Sequence, residues 1–225
     1  SPHVSTSWEQ EIKQFGPYQL SRKKHQDMQW FEQNKMMPIP DNQPNPYIDA
    51  FWKWWPEMVG GLEFLRMTGG EPLLSAQTFK IMQWLEAHPQ SHLNLDISSN
   101  LGVSDKIVTQ FIGHAQRLLE GNKIKTLNIH TSMDTYGKQA EYIRFGLKFE
   151  QFEKNLVRIL EEVPRIHFVS FMCTFNNLSV VGFEEYLHWV VGLKQKFNDG
   201  HRNIFVDIPH LTGPLHQSAR ILTAD

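Results

Sequence analysis

The 225-residue sequence predicts an α/β fold built on a parallel sheet. Three observations carry this reading. From residue 60 onward, apolar runs of strand length alternate with runs whose apolar residues recur at helical spacing. The helical runs have the 10–15-residue length, roughly, of crossover helices. Each strand-like run ends in glycine or in a short polar cluster, as a strand feeding a loop does.

The elements follow in order. Leu62–Thr68 has the content of a first strand and stops at Gly69-Gly70. Ser75–Ala87 places Phe79, Ile81, Met82, Trp84 and Leu85 at helical spacing, with Ser75 suited to the N-cap. Leu93–Ser99 reads as the second strand and Ser104–Leu119 as its helix. Ile124–Met133 is a third strand, followed by a helix over about Glu150–Val163. Ile166–Thr174 is a fourth, followed by a helix over Phe183–Phe197, and Asn203–Ile208 is a fifth before Gly213-Pro214. Upstream, Trp8–Lys24 reads as partly helical. Met37–Pro46 reads as a loop, because Pro38, Pro40, Pro44 and Pro46 forbid a helix. Tyr47–Met58 reads as a helix whose last turn Pro56 weakens, and its Trp52, Trp54 and Trp55 read as packing residues rather than a ligand stack.

Composition narrows the function classes. The 22 Lys+Arg against 24 Asp+Glu give a net charge of -2, which removes the electrostatic footprint of a dedicated nucleic-acid binder. A hydrophobic content of 40% with 12% aromatics argues for a packed core rather than disorder. No apolar run of about 20 residues could span a membrane, and no basic segment followed by an apolar one marks a signal peptide. The single cysteine, Cys173, excludes a disulfide framework and any multi-cysteine metal site made by this chain alone, so a reducing, cytoplasmic setting is expected. Cys173 itself reads as a core residue. The start at Ser1-Pro2-His3 without methionine points to a piece of something longer.

In parallel α/β folds, ligands sit at the carboxyl ends of the strands. The first strand ends in Thr68-Gly69-Gly70-Glu71-Pro72, where paired glycines let a ligand approach bare backbone beside a carboxylate. The same five residues read equally as a turn that binds nothing. There is no G-x-G-x-x-G and no G-K-[ST], so the usual phosphate cradles are absent. The second strand ends Ser98-Ser99-Asn100-Leu101-Gly102. The third ends His130-Thr131-Ser132-Met133-Asp134, with Glu141-Tyr142-Ile143-Arg144-Phe145-Gly146 after it. The fourth ends Cys173-Thr174-Phe175-Asn176-Asn177. Singly each is turn chemistry; together they put hydroxyls, amides, carboxylates and a guanidinium on one rim. Other chemistries have less behind them. His88 and His92 flank Pro89 and share no helix face, and His201, His210 and His216 lack a paired carboxylate or cysteine at ligand spacing. No G-x-S-x-G elbow supports a hydrolase.

The ordered set resembles the radical S-adenosylmethionine (radical SAM) enzymes. Thr68-Gly69-Gly70-Glu71-Pro72 is similar to their GGEP element, and the Ser-Asn turn, the Ser-x-Asp and the Glu-Tyr-Ile-Arg-x-Gly that follow keep the family's order. The likeness is to the branch with a twitch or SPASM auxiliary domain. It implies a single core domain over 1–225, built as a partial TIM-type (β/α)6 barrel with a mostly parallel sheet, truncated at both ends. It implies that Gly69, Gly70 and Glu71, followed by Pro72, meet the amino group of the SAM methionine. Ser132 would lie near its ribose or carboxylate, Arg144 would pair with the carboxylate, and Ser98 and Asn100 would line the pocket floor. Asp134 shapes a turn rather than touching the cofactor, and Thr174 and Asn176 read first as turn residues, second as facing substrate or adenine.

The resemblance also implies a 4Fe-4S cluster held by three cysteines spaced CxxxCxxC, a 5′-deoxyadenosyl radical that abstracts hydrogen, an electron donor for the cluster, and a peptide or protein substrate. This chain departs from it by lacking that motif, whose cysteines are expected upstream of Ser1. Alone it should be inactive and bind SAM weakly. Two other readings stay open: a non-catalytic α/β binding module, and a non-redox α/β enzyme with Glu71 and Asp134 as acid and base.

Overall fold

A computed structural model describes residues 14–16, 30, 33–35 and 43–222. The chain divides into two compact units, Ser1–Leu62 and Glu63–Asp225. Most of the expected Trp8–Lys24 segment and Met37–Asn42 of the expected loop lie outside the described residues.

In the first unit, α1 spans Pro46–Met58. Pro46, expected in the loop, instead starts the helix, because a proline at the first helical position gives up an N–H that has no intrahelical partner anyway. The Asn45 side chain caps it by accepting from the Tyr47 N–H. Pro56 does not end the helix: it removes one donor, while the Val59 N–H still bonds to the Trp55 carbonyl. Phe51, Trp52 and Trp55 pack ring against ring, and Trp54 points to solvent.

The second unit is the expected alternation. In order it runs β1 (Phe64–Met67), α2 (Ala76–Ala87), β2 (Gln90–Ser98), α3 (Asp105–Glu120), β3 (Ile124–Ser132), α4 (Gly137–Ile143), α5 (Phe149–Glu162), β4 (Phe168–Met172), α6 (Phe183–Phe197) and β5 (Asn203–Asp207). Ser75 caps α2, its side chain accepting from the Gln77 N–H. The short α4 was not anticipated; seven residues carry too little apolar periodicity to register. β2 starts earlier than expected because the Gln90 N–H already bonds to the Lys123 carbonyl, across an irregularity between Gln90 and Asn94. β4 is shorter than expected because the Ile166 N–H turns back to the Val163 carbonyl.

All five strands are parallel and lie in the order β1-β2-β3-β4-β5. Parallel neighbours joined by right-handed crossovers, taken always in the same direction, put their helices on one face. Along that face α2 packs on α3, and α3 on α5 and β3. The core is there. Leu95, Ile97, Leu127, Ile129, Val169, Phe171 and Ile204 from the strands meet Phe111, Ala115, Phe152, Leu156, Ile159, Tyr186 and Val190 from the helices, all at most 2% exposed. Side chains alternate along a strand, so the residues between these belong to the opposite face. Phe111, 1% exposed on the buried side of α3, tests the core. Phe111→Ala should cost about 3–5 kcal/mol, read as a lower urea midpoint with an unchanged slope.

Candidate functional site

Two structures meet at the carboxyl ends of the strands: the loops that leave them, and the sheet face that no crossover helix covers. In the loop after β1, Thr68, Gly69 and Gly70 are exposed. Gly69 and Gly70 have φ of +94° and +26°, the left-handed region that favours glycine, and a side chain at Gly69 would project into open space. Glu71 follows in extended conformation and caps a 3-10 turn over Pro72–Leu74.

The Glu71 carboxylate is heavily used. Its Oε1 accepts from the Leu73 N–H at 3.1 Å and the Ser99 hydroxyl at 2.7 Å, and its Oε2 accepts from the Asn100 N–H at 2.7 Å. That fills three of a carboxylate's roughly four acceptor positions. Glu71 therefore ties the loop after β1 to the loop after β2. Ser99 Oγ in turn accepts from the N–H of Leu101, which sits at φ +52°. Buried Asn155 on α5 holds the same loop from below, donating Nδ2 to the carbonyls of Leu101 (2.7 Å) and Val103 (2.9 Å).

After β3 and β4 a second group forms. Asp134, 4% exposed, accepts from Arg144 Nη2 at 2.9 Å and from the Thr174 N–H at 2.8 Å. Arg144 Nε lies 2.9 Å from the other carboxylate oxygen as an ion pair without good hydrogen-bond alignment. Asn176 bonds within its own turn, to Thr174 and Leu178. The structure thus brings Glu71 together with Asn100, and Arg144 with Asp134 and Thr174. Ser98 lies level with His130 and Ser132 level with Met172 on the face opposite the crossover helices.

That face carries a charged network. Arg66, Asp96 and Asn128 share one level across β1, β2 and β3, with His130 two residues further along β3. Arg66 Nη2 donates to Asp96 Oδ2 at 3.0 Å, and Asn128 Nδ2 donates to Asp96 Oδ1 at 2.7 Å. His130 Nε2 lies 3.0 Å from Arg66 Nη2 and 3.2 Å from Asp96 Oδ2, so it either accepts from the arginine or donates to the carboxylate. Asn94 and Thr126 extend the network toward the start of the strands. The signal was legible: polar residues at every second position of β2 (Asn94, Asp96, Ser98) and β3 (Asn128, His130, Ser132), in a sheet type usually apolar on both faces.

Burial would raise the Asp96 carboxyl, but the bonds from Asn128, Arg66 and His130 outweigh it and hold the group below its ordinary range. Burial, then the charge of Arg66, lower His130 from its ordinary 6.5, against the pull of Asp96. The Cys173 thiol is fully buried, and burial followed by the Asp134 charge pushes it up to about 12. Among the described residues no three His, Cys, Asp or Glu side chains are grouped to hold a metal ion, and no helix is long and apolar enough to cross a membrane.

No family model, curated protein or solved structure matches the chain.

The network makes stability depend on pH with a definite sign. Because His130 is lowered in the folded chain, the unfolded chain takes up the proton first, and stability falls as pH drops through about 6.5. Asp96 adds its own loss only as pH falls below the ordinary aspartate value of 3.8 toward its depressed folded value. The urea midpoint should therefore drop between pH 7.5 and 5.5, and His130→Gln should shrink that drop. A drop of unchanged size in the variant would assign it to other groups.

Proposed function

We propose that this chain is the SAM-binding core of a radical SAM enzyme of the twitch or SPASM type, its sheet forming part of a TIM-type barrel with the polar face inward. The observation that carries the reading is the exposed Gly69-Gly70 backbone at the end of β1, held against the loop after β2 by Glu71. Sequential parallel order with helices on one face supports the barrel, since a barrel is what such a sheet becomes when it curls and closes.

In this reading the carbonyls of the glycine pair accept from the ammonium of the SAM methionine, because no Cβ stands between backbone and ligand. Glu71 positions that backbone, and its remaining acceptor position is available to the same ammonium. Pro72 directs the chain away from the pocket. Ser98 and Asn100 line the floor, and Ser132 faces the ribose or carboxylate. Arg144, oriented by Asp134, presents its remaining donors to the SAM carboxylate, the planar recognition at which arginine excels. A 4Fe-4S cluster, held by cysteines outside these residues, would supply the electron for reductive cleavage of the SAM bound here. These 225 residues do not fit the cluster: they carry one thiol, which is buried, so the reading needs three thiolates from elsewhere in the natural protein, together with an electron donor. The substrate in this reading is a peptide or protein side chain, and a reducing cytoplasm suits the cluster. Acid-base work by Glu71 and Asp134 has less behind it, since each carboxylate is already committed to three contacts.

The test is anaerobic reconstitution of the full natural protein with iron and sulfide, then chromatographic detection of 5′-deoxyadenosine after reduction. Glu71→Ala and Arg144→Ala should each weaken SAM binding about tenfold or more, the loss expected from hydrogen bonds to charged groups. Ligand binding without turnover would favour the binding module. Activity that survives iron removal would favour the non-redox enzyme.

A further inference from the structure

The mechanism above leaves the Arg66 network unused. Arg66 is placed unlike its neighbours. Asp96 and His130 are buried, at 7% and 8% exposure, whereas the Arg66 side chain is 53% exposed. A single nitrogen, Nη2, makes both of its contacts. Nε–H and both Nη1–H donors have no partner among the described residues. Both Asp96 oxygens are engaged, Oδ2 by Arg66 and Oδ1 by Asn128, so Asp96 fixes the guanidinium without covering it. On the same face β4 and β5 add two aromatic rings, Phe168 and Phe205, among Ser170, Asn203 and Asp207. Phe168 meets the His130 ring edge-on at 5.3 Å and the Phe205 ring at 5.7 Å, and Phe205 is 48% exposed. A half-free guanidinium fork and an open aromatic wall therefore share one sheet face. Arg66 lies three residues below Gly69, about 10 Å along the strand.

We propose that Arg66, fixed by Asp96 and His130, binds the carboxylate or phosphate of a small organic anion whose apolar body lies against Phe168 and Phe205. Identifying that anion as the enzyme's substrate rests on the radical SAM reading; the site itself does not. A guanidinium fork selects a planar or tetrahedral oxyanion by paired N–H bonds, which an ammonium group cannot reproduce.

The test uses calorimetric titration of the full natural protein, reconstituted with iron and sulfide, with phenylacetate, phenyl phosphate, acetate and benzyl alcohol, and equilibrium dialysis of SAM on the same preparation. Phenylacetate or phenyl phosphate should bind saturably, and which is tighter tells carboxylate from phosphate. Acetate should bind more weakly, and benzyl alcohol should not bind. Arg66→Gln should weaken the better anion about ten- to a hundredfold. Arg66→Lys, which keeps the charge beside Asp96 and so guards against a folding defect, should also weaken it, while Phe205→Ser should lower affinity for the phenyl anions but not for acetate. No saturable anion binding by the unaltered protein, or binding indifferent to both Arg66 variants, overturns the proposal even where SAM binds. Anion binding lost with Arg66 in a protein that does not bind SAM upholds this site and removes the radical SAM reading instead.

Discussion

The fold is governed by a constraint of connectivity. Five parallel strands in sequential order commit their crossover helices to one side of the sheet, so in this unit the other side is left without a helical layer. A sheet face in that position must satisfy its own side chains. Here it does so with a cross-strand ladder centred on Asp96 of β2, whose two oxygens are met from the two neighbouring strands, by Arg66 on β1 and by Asn128 and His130 on β3. Burying a carboxylate is costly unless it is paired and hydrogen-bonded, and that requirement also fixes the register of β1, β2 and β3. A slip of one residue would turn Asp96 into the helix-packed core and bring Leu95 or Ile97 out of it.

Above the sheet a second set of bonds performs the same service for the loops. Glu71 would be an unremarkable helix-turn cap if its carboxylate reached only Leu73. By also reaching Ser99 and Asn100 it makes the geometry of the glycine pair depend on the loop after β2, and Asn155 makes that loop depend on α5. The exposed backbone of Gly69 and Gly70, free of side-chain constraint, is thus set by groups that are themselves held. Such preorganisation lets backbone polar groups act on a ligand without first being ordered.

Much of this was legible in the residues. Helical spacing located α2, α3, α5 and α6 to within a residue or so at each end, and apolar runs located all five strands, because both signals come from burial on the same core. The strand ends marked the loops where Glu71 meets Asn100 and where Arg144 meets Asp134. What escaped notice escaped for physical reasons. The α4 helix is too short for periodicity. Pro46 belongs by composition to a proline-rich loop and Pro56 by its type weakens a last turn, yet a proline at the first helical residue or in a last turn removes little. Arg66, Asp96 and His130 are separated by about 30 residues at each step, and only the parallel register places them together. Ser99, rather than Ser98, faces Glu71, since a period of two sends neighbouring serines to opposite sides.

The composition of the uncovered face bears on why it is charged at all. Replacing a buried ion pair or triad by apolar residues of similar volume is commonly neutral or stabilising, by about 1–4 kcal/mol. The helix-packed face of the same strands, built from Leu, Ile, Val and Phe, shows that this sheet can carry such residues. Stability alone therefore gives no reason for the buried Asp96 and His130 to be where they are, and register could be specified by one polar pair rather than four interlocked side chains. What an apolar triad could not do is hold a guanidinium half in solvent, oriented by buried partners and set beside an aromatic wall. The charge of Asp96 is spent on that orientation, and the unspent donors belong to Arg66. A network arranged in this way, deep beneath a glycine pair with bare backbone, has the asymmetry of a binding surface rather than of a core.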